Sequence, residues 1–165
     1  MKKVLVIYYS QTGQLKNVID AFVDPMNSDS EITIDEVTIQ PEKDFPYPWP
    51  VLTFFDAMPE CRYLVPEPIK ALPINPETDY DLVILGYQPW YLSPSIPITS
   101  FLKSQQAHSV LKDKPVITVI GSRNMWLMAQ ERVKEMLEGL GAKLIDNVAL
   151  TDQGNNFVTL ITVPR

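Results

Sequence analysis

The chain has 165 residues, 45% of them hydrophobic and 21% charged, enough to bury one core without metal or disulfide staples. A formal net charge of -6 and a pI near 4.7 weigh against nucleic acid or an anionic membrane surface as partner, since both reward a basic patch. The single cysteine, Cys61, excludes an internal disulfide and fits a reducing, cytoplasmic setting; the first apolar run is too short for a signal peptide, and no stretch approaches the ~20 apolar residues of a membrane span.

Val4 to Tyr9 is a continuous β-branched and aromatic run, as expected of a strand buried on both faces. Gly13 interrupts it, and Leu15, Val18, Ile19 and Phe22 recur at helical spacing until Asp24-Pro25, where a helix stop is expected. Ile32, Ile34, Val37 and Ile39 predict a second, less buried strand. Leu82–Gly86 and Val116–Gly121 predict a third and fourth, each ending in glycine. A helix follows over roughly residues 125–140, with Met125, Met128, Val133, Met136, Leu137 and Leu140 on one side and Gly141 as its C′ residue. Residues 143–150 read as a fifth strand. Apolar strands alternating with amphipathic helices predict a single α/β domain over residues 1–165, with a doubly wound parallel sheet.

Two stretches depart from that alternation. Residues 41–76 hold nine of the fifteen prolines, including Phe45-Pro46-Tyr47-Pro48-Trp49-Pro50. No long helix can run through them, although Leu52 to Met58 suits a short one. Their aromatics are expected to pack on the sheet face, to form a lid over a ligand, or to form a homodimer surface. At the other end, a last helix is expected after the fifth strand, yet Phe157 to Val163 is β-branched and the chain stops at Arg165, so a carboxyl-terminal truncation is one reading.

In an open parallel sheet, ligands sit beyond the carboxyl ends of the strands, where strand order reverses. The first loop there is Ser10-Gln11-Thr12-Gly13-Gln14. A phosphate would meet free backbone N–H groups at the positive helix end, hydroxyls from Ser10 and Thr12, and a close backbone approach at Gly13. The same residues also suit an ordinary capped turn. Neither a Gly-x-Gly-x-x-Gly dinucleotide fingerprint nor a Gly-Lys-Ser/Thr phosphate loop is present.

The loop after the third strand contains Pro89, Trp90, Tyr91 and Leu92, then Ser93-Pro94-Ser95-Ile96-Pro97. Trp90 or Tyr91 would give a planar ring a flat apolar wall, or would simply close the end of the core. The loop after the fourth strand is Gly121-Ser122-Arg123-Asn124-Met125-Trp126. Asn124 suits an N-cap, Arg123 either an anionic ligand or a surface ion pair, and Trp126 either a second wall or core. Thr151-Asp152-Gln153-Gly154 borders the same edge with a weak signal. His108 sits among polar residues in a solvated role, and one histidine with one cysteine makes neither a zinc set nor a catalytic triad. Glu131, Glu135 and Glu138 read as the wet face of the long helix.

Ser10, Thr12 and Gly13 resemble the phosphate loop of flavodoxins, Thr/Ser-x-Thr-Gly-x-Thr, with Leu15 in place of the last threonine. Ser95-Ile96-Pro97 resembles the flavin loop of NAD(P)H-dependent FMN reductases and quinone reductases. The resemblance covers about residues 3–150. It implies a flavodoxin-like three-layer fold, five parallel strands in the order 2-1-3-4-5, and an FMN held by Ser10–Gln14, Pro89–Leu92, Gly121–Asn124 and Trp126. Segments 8–14, 90–95, 123–127 and 151–154 are similar to bacterial proteins labelled dialkylresorcinol condensing enzyme, whose members extend past this carboxyl end. The condensation chemistry of that name finds no support here, because Cys61 has no partner histidine nearby.

Three functions follow from the resemblance: an FMN-dependent oxidoreductase using NAD(P)H on an aromatic or quinone-like small molecule, an electron carrier, or a cofactor-free binding fold. Residues 87–95 and 121–128 contain no Asp or Glu, which favours an apolar pocket over an acidic docking ring. Tyr91 and Arg123 are the candidate catalytic residues.

Overall fold

The computed structural model describes residues 1–151; the β-branched tail and the Asp152-Gln153-Gly154 part of the last loop lie outside them. Five parallel strands, β1 (Lys2–Tyr8), β2 (Ile32–Thr38), β3 (Leu82–Tyr87), β6 (Pro115–Ser122) and β7 (Lys143–Thr151), form one sheet in the order β2-β1-β3-β6-β7. Counting these five alone, the order is the expected 2-1-3-4-5. Between β3 and β6 a small hairpin, β4 (Pro89–Trp90) and β5 (Ser93–Pro94), precedes α4 (Ile96–Leu102) and α5 (Gln105–Leu111).

Alternate residues of the central strands feed two cores, as a period-2 backbone requires. Val4, Val6, Tyr8, Ile84 and Val119 pack under α1 (Gln14–Asn27) through Leu15, Ile19 and Val23. Leu5, Ile7, Val83, Leu85 and Ile120 face the other way, under α4, α5 and α6 (Leu127–Gly139). The central strands are therefore buried on both sides, while β2 at the edge is mostly exposed. A buried polar bridge ties this second layer together: the Tyr87 hydroxyl donates to Gln130 Oε1 at 2.7 Å, and Gln130 Nε2 donates to Thr118 Oγ1 at 2.9 Å.

Close approach of α1 to the sheet explains one glycine. A Cβ on Gly86 would stand 2.7 Å from Ile19 Cδ1 and 2.9 Å from Tyr8 Cβ, so only glycine lets the helix lie down. Gly86 and Gly121 are each one residue short of the strand end, which falls at Tyr87 and Ser122.

Two local expectations are corrected and a third holds. Helix α1 continues through Pro25 to Asn27. A proline this near a carboxyl terminus costs one ladder hydrogen bond, and Met26 packing against the α1 core holds the last turn. Asn124 does not cap α6; the N-cap position is Trp126, with no side-chain hydrogen bond. Gly141 follows the helix at φ 75°, the left-handed conformation expected of C′.

The proline-rich crossover is an excursion pinned at its base. Pro41 and Ile69 form a bridge flanked by Glu42 N–H to Pro68 O at 3.0 Å and Lys70 N–H to Gln40 O at 2.8 Å. Within it lie two short helices, α2 (Val51–Asp56) and α3 (Met58–Arg62). Among the described residues, no helix is long and apolar enough to cross a membrane.

Candidate functional site

The loops leaving β1, β3 and β6 converge at the carboxyl edge of the sheet, and the crossover and the end of β7 join them around an open cavity of about 910 Å³. Of the residues singled out from the sequence, Gln11, Thr12, Gln14, Pro89, Trp90, Tyr91, Leu92, Gly121, Ser122, Arg123 and Asn124 line it, as does Thr151. Ser10, Gly13 and Trp126 do not.

Ser10 and Gly13 instead build the start of α1. Gly13 takes the N-cap place at φ 82°, a left-handed backbone that a side chain would strain. Ser10 Oγ accepts from Lys16 N–H at 3.3 Å, closing one free helix donor. The first-turn N–H groups of a 14-residue helix thus open beside Thr12 and Gln14 at the cavity. Leu15, where the flavodoxin pattern has its last threonine, is 2% exposed and packs in the α1 core. The missing hydroxyl has become a core contact.

Gln11 lines the cavity and also anchors the crossover. Its Nε2 donates to Pro46 O at 3.0 Å and its Oε1 accepts from Trp49 Nε1 at 3.3 Å, so both ends of the amide hold the crossover against the β1 loop.

Pro89–Trp90 and Ser93–Pro94 meet through a two-residue turn with Tyr91 at φ 51° and Leu92 at φ 62°. Such turns favour Asn and Gly, so two large residues there carry strain on the order of 1–2 kcal/mol each. Outside contacts hold the turn in place. The Tyr91 hydroxyl donates to Phe54 O, and Arg132 Nη1 donates to Ser93 Oγ at 2.7 Å and to Arg62 O at 2.8 Å. Burial pushes the Tyr91 phenol well above its ordinary range. Trp90 is packed edge-on by Tyr9 at 6.0 Å, Phe45 at 5.1 Å and Trp49 at 5.4 Å between ring centroids. The crossover aromatics therefore pack over the cavity edge, against the hairpin, rather than on the sheet face.

In the β6 loop, Arg123 is exposed at the cavity and has no ion-pair partner among the described residues. Among the described residues, no Asp or Glu lines the cavity. Trp126 packs against the larger core instead of forming a second wall. Val18, Tyr47, Trp49, Phe54, Gln88, Met125 and Leu150 also line the cavity; sequence periodicity had not pointed to them as site residues. Only the aromatic-proline alternation at 45–50 hinted at Tyr47 and Trp49. Cys61 is buried, and burial together with Glu60 pushes its thiol up to about 12, so no thiolate nucleophile forms at neutral pH. His108 is exposed on α5, away from the cavity.

Solved structures share this fold. A flavoprotein from Lactobacillus acidophilus NCFM, crystallised in complex with FMN, superposes with a TM-score of 0.70 at 16% identity over 100% of both chains. The apo-form of the flavoprotein from the same organism, solved by NMR, gives 0.60 at 18% identity, covering 100% of this chain and 99% of that one. Flavodoxin 1 from Bacillus cereus gives 0.57 at 14% identity over 98% of this chain and 92% of that one. The fold is flavodoxin-like. No family model matches the sequence and no curated protein does, and none of these structures carries the condensing-enzyme label.

The donor chemistry of the cavity fits an FMN. Thr12, Gln14, Ser122 and Asn124 offer polar side chains, the α1 start offers N–H groups, Arg123 offers a cation, and Trp90 offers an apolar flank.

Proposed function

We propose that this chain binds FMN and acts as an oxidoreductase that passes electrons from NAD(P)H to a small aromatic or quinone-like substrate. The observation that carries the reading is a cavity joining a helix start with free N–H groups to an aromatic wall, with no carboxylate in its lining among the described residues. Bound FMN supplies the hydride and electron chemistry. The chain's part is to hold it. Thr12, Gln14 and the α1 N–H groups take the phosphate, while residues 89–92 and 121–124 border the ring. Arg123 offsets negative charge on a reduced ring or on the nicotinamide donor. Tyr91 does not serve as proton donor here, because its hydroxyl is committed to Phe54 O; protons come from solvent through the open side of the cavity. The single buried Cys61 suits the reducing cytoplasm.

The test is oxidation of NADH or NADPH by the FMN-loaded protein with menadione as acceptor. FMN-dependent turnover supports the reading. FMN bound without turnover from either donor leaves the electron-carrier reading in its place. The cofactor-free reading draws on Leu15, whose burial removes one family contact to the phosphate, and absence of FMN binding would favour it.

A further inference from the structure

Beside the cavity, Trp49, Phe54, Pro89, Trp90 and Tyr91 enclose an alcove of about 190 Å³ with almost no polar surface. Two of its walls come from the crossover and three from the hairpin. The walls stand nearly square to one another: Trp49 and Trp90 cross at 88° with centroids 5.4 Å apart, and Trp49 and Phe54 at 78° and 6.2 Å. Phe54 leans on Tyr91 at 53° and 4.9 Å. Two of the walls are held by hydrogen bonds, Trp49 by Gln11 Oε1 from outside the alcove and Tyr91 by the Phe54 carbonyl within it. The space is thus shaped before anything enters, and side-chain entropy lost on binding is small.

We propose that this alcove binds an uncharged aromatic ring system of one or two fused rings, belonging to the substrate rather than to the cofactor. Size, polarity and charge point the same way. Apolar protein cavities of about 150 Å³ take up benzene, so this space admits one ring or two fused rings. An anion would lose its water against walls that offer almost no polar surface to replace it. A cation could use the ring faces, but among the described residues no carboxylate lines the alcove or the larger cavity, and Arg123 at the cavity repels it. The assignment rests on the oxidoreductase reading for the identity of its occupant as substrate; Trp49 and Phe54 come from the crossover, outside the loops assigned to FMN, while Pro89, Trp90 and Tyr91 are shared with the loop that borders the ring.

The experiment uses the protein with its three tryptophan indoles labelled with ¹⁵N, titrated with 2-naphthol, naphthalene-2-sulfonate and trimethylphenylammonium, each with and without saturating FMN. Saturable binding of 2-naphthol is expected to move the Trp49 and Trp90 signals and leave Trp126 in place. Both charged probes should bind roughly tenfold or more weakly, a difference of about 1.4 kcal/mol. Trp49→Ala should weaken 2-naphthol by roughly tenfold; should that variant unfold, Phe54→Ala carries the same test. Loss of 2-naphthol binding when FMN is added would overturn the proposal, because the alcove would then be part of the cofactor's own site. Preference for trimethylphenylammonium, or no saturable shift at Trp49, would overturn it too. Binding of 2-naphthol by a protein that takes no FMN would refute the cofactor reading and leave the alcove standing.

Discussion

Gln11 grips Trp49. One amide accepts from the indole at 3.3 Å and donates to Pro46 O at 3.0 Å, so the loop that opens α1 also sets the position of the crossover aromatics. A residue flanked by Ser10 and Thr12 thereby connects the helix start to the far wall of the cavity.

Gln11→Ala should free the crossover without disturbing the sheet. Each of the two lost hydrogen bonds is worth about 0.5–1.5 kcal/mol, so urea denaturation should show a loss of about 1–3 kcal/mol. Limited proteolysis should accelerate within residues 41–69 and nowhere else. Unchanged cleavage of that segment would show that the aromatic contacts alone hold it.

Gly86→Ala should be costly although the backbone at Gly86 needs no special conformation. The new methyl would press on Ile19 Cδ1 and Tyr8 Cβ, and overpacking of this kind costs about 1–3 kcal/mol. Ile19→Val removes the nearer atom at its own cost of about 0.5–1.5 kcal/mol. The double variant should therefore be more stable than the sum of the two single losses predicts, and simple additivity in a thermal or urea cycle would contradict the contact.

Alkaline pH should destabilise the fold through its buried tyrosines. Burial, then the Asp44 charge, pushes the Tyr9 phenol from its ordinary 10 up to about 12. A group with a raised folded pKa contributes its full stability below the unfolded value, and that contribution fades as pH climbs from 10 toward 12. Tyr9→Phe should flatten the fall in stability between pH 9 and pH 11 measured by urea denaturation. An equally steep fall in the variant would place the effect on other tyrosines, such as Tyr80, which is also raised to about 12 by burial and by Asp35.

Much of this architecture was legible because it rests on short-range pattern. The central strands are buried on both faces, so their β-branched runs announced a parallel sheet, and the loops at their ends announced the site. What pattern cannot carry is contact between distant segments. Trp49 and Phe54 reach the cavity only because Gln11 and Tyr91 hold them there, over sequence separations of 38 and 37 residues. The hairpin was hidden for a related reason: its turn uses Tyr91 and Leu92 where the local rules ask for Asn and Gly, and Arg132 and Phe54 supply the compensation from elsewhere. Pro25 misled because a helix stop was expected at the proline, whereas packing of Met26 decides the outcome.

The central claim is that the β1 loop and the start of α1 receive the phosphate of FMN, and a paired titration tests it most directly. Quenching of flavin fluorescence should saturate with FMN and be far weaker with riboflavin, which carries the same ring without the phosphate. Thr12→Ala and Gly13→Val should lose that preference, the second by forcing a β-branched residue to a φ of 82° at the helix start. Equal affinity for FMN and riboflavin, or no saturable quenching by either, would contradict the account.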